Sequence, residues 1–545
     1  MTRRASLLLP VLPALLLVGA THSSQTNTDS EIDLFLAQVT DLTALGRVGQ
    51  FPNGVTACAM ETTACNGGTK PINWKQAMNP DHPFIAFLLA RETNGRFEQI
   101  SDRSYVKHGF FALSGSSCST CSPTDGTTLG LGCSDTYATQ NNSDNYWLGP
   151  PDEIDPWMGR WDPVCSHFDR GEPPVASPGD CNGSRSLTQA QVQALGTLSH
   201  RIRVRDSELS VPGSLFWFQG MYIIETEGDA VREDSIGSRK FTAAWTGSSW
   251  NLNETGALLH GSILQRWVDA SVSSATNGGD DGRLYVGVKV KGPVDGFYHY
   301  EYAVHNRDNA RGVGALRIPI CPGARVRNFG FSDVDTDAAN EWTAAQNGGE
   351  IVYSTASNPL KWNSIFNFWF DCDAAPASGS LALDQAAPGP GLAAVSVTSS
   401  APLGLFNVYL GPGCSNGTPS TLHAIGTPPQ ATLGNATFGL RSTGNPPNRP
   451  SYLYFSLTSG THMVGRCLTY LGPTANDPDF LSSAFSDANG VVIHSIPIAS
   501  RIELEGLDAY CQMSTFNPGS GKLFKKYDLS DGLLVRVGSA LSGCP

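Results

Sequence analysis

Much of this chain alternates apolar and polar residues in short runs. Residues 214–225, 240–245, 284–291, 297–305 and 314–320 are alternating, β-branched or aromatic, which is the pattern of half-buried strands. Residues 364–371 (Ser-Ile-Phe-Asn-Phe-Trp-Phe-Asp) set large aromatics at alternate positions and predict a core strand. Turn clusters separate these runs at spacings of roughly ten residues, which predicts sandwiches rather than βαβ units. Upstream, 83–90 and 106–113 are the candidate strands of a Gly-, Asn- and Pro-rich stretch from 46 to 183, expected to be loop-dominated. Helical spacing is found in 31–45 and in 186–198, the latter with Ser186 as its candidate cap. Short strands return at 393–411, 451–457, 491–498 and 532–537. The expected fold class is mostly β: β-sandwich domains behind a loop-rich, disulfide-bonded N-terminal region.

The N-terminus changes the picture of where this fold forms. Arg3 and Arg4 precede an apolar run from Leu7 to Val18, and Val18-Gly19-Ala20 supplies small residues before Thr21. That is the layout of a secretory signal, and the run is too short to span a bilayer. The expected organisation is a signal peptide at 1–20 and a Cys-rich domain at 21–205. A sandwich-like domain at 206–383, a Pro/Gly linker at 384–392 and a C-terminal sandwich at 393–545 follow. The protein is expected to be secreted, without membrane insertion.

Composition agrees. The chain has 13 cysteines, and in an exported protein these predict disulfides. Cys321 and Cys372 stand as the obvious middle pair, while the seven cysteines before 200 leave one thiol over. The net charge of −13, with no basic tract, argues against nucleic acid and anionic membranes as partners.

Two stretches carry a resemblance. One runs through Phe485-Ser486-Asp487-Ala488-Asn489-Gly490, Ile496-Pro497-Ile498, Leu507-Asp508-Ala509-Tyr510-Cys511-Gln512 and Leu529-Ser530-Asp531-Gly532-Leu533. It is similar to a C-terminal β domain of secreted multidomain proteins from environmental Gram-negative bacteria. The segment Tyr300-Glu301-Tyr302-Ala303-Val304-His305-Asn306 resembles another part of such proteins, as does Tyr105-Val106-Lys107-His108-Gly109-Phe110. These families are uncharacterised. The resemblance therefore implies export and β architecture and transfers no active site.

Candidate chemistry is sparse. The chain has no His-Glu-x-x-His and no phosphate-binding glycine loop. Cys118, Cys121 and Cys133, with His82 and His108 nearby, offer sulfur and nitrogen donors for copper or zinc, but disulfides are the expected state outside the cell. Asp333, Asp335 and Asp337 place hard oxygens at alternate positions and make calcium the candidate cofactor, although Ala338 and Ala344 rule out an EF-hand. Asp152, Glu153 and Asp155 lie among Trp147, Trp157 and Trp161, a mix of carboxylates and aromatics that suits a sugar. His299 and His305 share one face of a strand.

The expected function is a non-enzymatic extracellular protein that binds a surface, glycan or protein partner, with structural calcium. The alternatives are a secreted hydrolase of polymeric substrate with its site in the N-terminal region, and a copper or zinc protein.

Overall fold

A computed structural model describes residues 31–545 apart from 104, 171–180, 278–281, 295–296, 405–406, 539–543 and 545. The expected signal at 1–20 lies outside the described residues. The strand pairs are antiparallel, and they form three two-sheet units in chain order.

In the first unit, one sheet runs Leu34–Val48, Val55–Asn66, Ile202–Arg205, with Ser134–Tyr137 also paired to Val55–Asn66. The opposing sheet runs Trp250–His260, Ile236–Trp245, Leu215–Ile223, Phe84–Thr93, Val106–His108, Leu148–Gly149, with Arg96–Gln99 paired to Phe84–Thr93. The helix expected at 31–45 is the strand Leu34–Val48. Its buried Leu34, Leu36, Val39 and Leu42 imitate helical spacing because register shifts at Leu36/Gln38 and Thr40/Thr43 each break the period of two. The helix expected at 186–198 is shorter, Gln189–Ala194, and Thr188 rather than Ser186 caps it through a capping box with Gln191.

Phe84–Thr93 shows how the units are joined. Ile85, Phe87 and Leu89 point into the core between the two sheets, whereas Leu88 and Ala90 point the other way. There they meet Trp217, Ile263 and Trp267 of the first unit and Tyr285, Ala303 and Ile365 of the second. This shared apolar layer explains why the strand is apolar at almost every position. Asn363 donates to the Phe87 carbonyl at 2.9 Å and Asn367 to the Phe97 carbonyl at 2.8 Å across the same boundary. Buried Arg307 bonds Asp229 and Glu233 there, each at 2.8 Å. The expected division at 205/206 falls inside this arrangement: Leu215–Ile223 pairs with Phe84–Thr93 from Leu215↔Glu92 to Ile223↔Phe84.

The second unit packs the sheet Ser271–Ala275, Leu284–Val294, Phe297–Asn306, Ser364–Cys372, Val326–Ser332 on the sheet Thr343–Asn347, Glu350–Ser354, Val313–Pro319, Ala377–Gln385, Ala394–Ala401. The stretch 384–392 forms the turn between Ala377–Gln385 and Ala394–Ala401, which pair with each other. The third unit follows Ala401. Its larger sheet includes Val408–Gly411, Gly532–Arg536, Asp508–Phe516, Pro450–Ser456 and Asp479–Phe485, and its smaller one Thr421–Ile425, Gly439–Thr443 and Val492–Ser495.

Five disulfides close within this frame: Cys65–Cys118, Cys121–Cys133, Cys165–Cys181, Cys321–Cys544 and Cys414–Cys467. The expected Cys321–Cys372 pair is corrected. Cys372 ends a strand opposite Tyr298 and Val326, while Cys321 faces Gly404 and the chain's C-terminal segment. Cys58, Cys372 and Cys511 are free and buried. Such a bond density fits an oxidising compartment. Among the described residues, no helix is long and apolar enough to cross a membrane.

Candidate functional site

The residues singled out in the sequence are held by the protein itself. His82 Nε2 lies 2.7 Å from His108 Nδ1, and His82 Nδ1 lies 2.5 Å from the Asn79 carbonyl, so both His82 nitrogens are occupied. Burial pushes His82 down to about 4 and His108 well below the usual imidazole value, keeping the pair neutral. The cysteines read beside them are oxidised, Cys118 to Cys65 and Cys121 to Cys133.

The acidic and aromatic stretch around residue 155 is likewise turned inward. Trp157 and Trp161 are buried, and Trp147 is half-buried. Glu153 accepts from Trp161 Nε1 at 3.3 Å and from the His167 N–H at 2.7 Å. Asp155 caps the N–H groups of Trp157 and Met158. Asp152 is paired with Arg103 and, at 2.6 Å, with Lys361. Asp333, Asp335 and Asp337 each accept the N–H two residues on, a run of side-chain turns, and Asp333 also accepts from Asn358 at 2.7 Å. Among the described residues, no group of three or more His, Cys, Asp or Glu side chains is arranged to hold a metal ion.

His299 and His305 do share the sheet face turned toward the first unit. His305 is buried on Ser262 at 2.8 Å. His299 sits between Asp371 (2.8 Å) and Glu301 (3.1 Å), and Glu301 also takes Arg96 at 2.5 and 3.0 Å. A ring that serves two carboxylates donates from both nitrogens. Its value is accordingly raised, chiefly by Glu301, and neither nitrogen is left to act as a base.

An open groove lies elsewhere in the first unit. Ile236–Trp245 and Trp250–His260 form a hairpin that runs on to Trp245↔Trp250, past the start of Leu215–Ile223. Between this arm and the 209–214 loop is a groove of about 540 Å³, lined by Phe51, Leu215, Phe216, Phe241, Trp245 and Trp250 among others. Phe51, 42% exposed, stacks on Trp245 with centroids 4.6 Å apart, and Trp250 lies 5.5 Å from Trp245. That size and lining are those of a small-ligand or peptide cleft.

One buried carboxylate fixes the aromatic wall. Asp206 accepts from Trp250 Nε1 (2.9 Å), Arg47 Nε (2.9 Å) and the Gly54 N–H (3.1 Å). Arg47 in turn lies 4.8 Å from the Trp245 ring centroid. Burial would raise Asp206, but the Arg47 and Trp250 bonds outweigh it and hold the carboxyl below its usual value. A Cβ at Gly54 would meet Arg47 Nη2 at 2.4 Å and Asp206 Oδ2 at 2.7 Å, so a side chain there would have to displace this ion pair.

Comparison with known proteins adds little. No family model matches the chain, and no curated protein does. A crystal structure of the major pilin subunit of Bacillus cereus aligns with 62% of this chain and 84% of its own, at 10% identity and a TM-score of 0.17. Escherichia coli alpha-2-macroglobulin activated by porcine elastase aligns with 92% of this chain, which covers 35% of it, at 9% identity and a TM-score of 0.15. At such scores neither likeness carries an argument.

Sequence reasoning missed the groove. Its parts come from residue 51, residues 209–216 and residues 240–250, and only folding brings them together. The one local signal was Trp245-Thr246-Gly247-Ser248-Ser249-Trp250, two tryptophans bracketing a turn.

Proposed function

We propose that this chain is a secreted, non-enzymatic binding protein whose ligand, a surface glycan or a protein partner, sits in the Phe51/Trp245/Trp250 groove. The observation that carries this reading is the aromatic wall itself. It is open to solvent at Phe51, braced from beneath by Asp206, and large enough for several ligand residues. The carboxylates and histidines singled out in the N-terminal region are bonded within the fold, Glu153 to Trp161, Asp152 to Arg103 and Lys361, and His82 to His108. The disulfides suit a protein working outside the cytoplasm.

The test is binding of the intact protein to panels of polysaccharides and of extracellular-matrix and cell-envelope proteins, with release of reducing ends and peptides followed in parallel. Trp245→Ala is expected to abolish retention at least tenfold while the circular dichroism is unchanged. Retention that ignores Trp245→Ala, or steady product release, would sink the reading.

A further inference from the structure

We infer that the groove's ligand is an extended peptide, which adds as a strand to the open edge of Ile236–Trp245; this rests on the groove being the ligand site. The edge is a matter of register. On one side, Ile236–Trp245 pairs with Trp250–His260 as far as Trp245↔Trp250. On the other, pairing with Leu215–Ile223 stops at Phe216↔Phe241. Residues 242–245 therefore have a partner strand on one side only. Pro212 and Gly213 (φ +75°) turn the chain away just before Leu215, and among the described residues no other strand pairs with 242–245 on that side. Thr242, Ala243, Trp245, Ser214 and Leu215 all line the groove, so the unpaired N–H and C=O groups give onto it.

An open strand edge offers donors and acceptors in the two-residue repeat of another strand, and four residues give about 13 Å of such edge. A sugar has no such repeat to match. It would also want a free aromatic face, and Phe51 already covers one face of Trp245.

Side-chain parity then states the peptide's chemistry. Phe241, Ala243 and Trp245 face one side of the arm, and Phe51 joins them. Lys240 and Thr242 face the other. Lys240 has no ion-pair or hydrogen-bond partner among the described residues, and no carboxylate lines the groove. The matching ligand alternates large apolar side chains toward Phe51 and Trp245 with an acidic side chain toward Lys240.

The experiment presents the intact protein with an array of unstructured ten-residue peptides and, alongside, a polysaccharide panel. The tightest peptides are expected to share the apolar/acidic alternation. N-methylating their amides one at a time should cost tenfold or more at every second position and little between. Lys240→Glu, a change on the groove wall that spares the core, should weaken acidic peptides severalfold and strengthen basic ones. Loss that ignores N-methyl position overturns strand addition. A groove that holds polysaccharide in a Trp245-dependent way, and no peptide, overturns this inference and leaves the binding reading standing. Failure of every peptide and polysaccharide to bind through Trp245 overturns both.

Discussion

Two aromatic regions of the first unit have similar composition and opposite orientation. Around Trp157 and Trp161 the indoles face inward, and Glu153 holds Trp161 from the protein side. Around Trp245 and Trp250 the rings form the wall of a cleft, with Asp206 bracing Trp250 from behind and Phe51 exposed in front. A carboxylate beside tryptophans is thus not in itself a sugar site. In both regions the carboxylate supports a tryptophan from the protein side; what differs is whether the aromatic cluster opens onto solvent, and the backbone decides that. The first region sits on short elements, Pro151–Glu153 and Ile154–Asp155, which fold back onto the sheet. The second sits on a hairpin that outruns its neighbour.

The largest effect that would sharpen this contrast is expected from Asp206→Ala. It removes the carboxylate from Arg47, which keeps the Gly49 carbonyl, and leaves Trp250 Nε1 and the Gly54 N–H without their acceptor, at a cost of about 2–4 kcal/mol. Urea melts followed by tryptophan emission should show that loss together with a red-shifted native spectrum. A loss below about 1 kcal/mol would mean that the wall is held by packing alone.

Glu153→Ala should cost less, about 1–3 kcal/mol, by releasing Trp161 Nε1 and the His167 N–H. Ligand retention in the groove should be untouched. If Glu153→Ala abolished retention while Trp245→Ala did not, the roles of the two regions would be reversed.

The same contrast explains what could be seen in the sequence. Strands whose pairing partners supply matching aromatics, such as Phe297–Asn306 and Ser364–Cys372, announce themselves by alternation. The β class and the engagement of most cysteines in disulfides followed from such local signals. The pairing of Phe84–Thr93 with Leu215–Ile223 spans more than a hundred residues, so no local signal places both in one sheet. Pro-Gly chemistry at 384–392 serves a hairpin turn as well as it would serve a linker. Tryptophan clusters are visible in a sequence, but their orientation is set by register, and register is a long-range property.

The smallest expected effect, and the finest test of the comparison, is in pH. Burial raises Glu153, against the opposing pull of the Trp161 and His167 bonds, so the fold binds its proton more tightly than the unfolded chain does. Its ionisation therefore costs stability above the folded value, and that cost is relieved as pH falls through it. Asp206 is the reverse case, with its folded value depressed. It contributes stability that is fully present above the unfolded aspartate value and is lost only as pH falls through the lower folded one. Between pH 7 and about 4, the unfolded-chain range for carboxylates, the inward region should tighten while the groove holds steady. Fluorine NMR of 5-fluorotryptophan protein can follow Trp161 and Trp250 separately across that range, with Glu153→Gln and Asp206→Asn as assignments. A Trp161 signal that shifts near or above the ordinary glutamate value, with Trp250 constant, fits this account. A Trp250 signal that moves first would show that Asp206 is not held by Arg47 and would remove the brace from the groove.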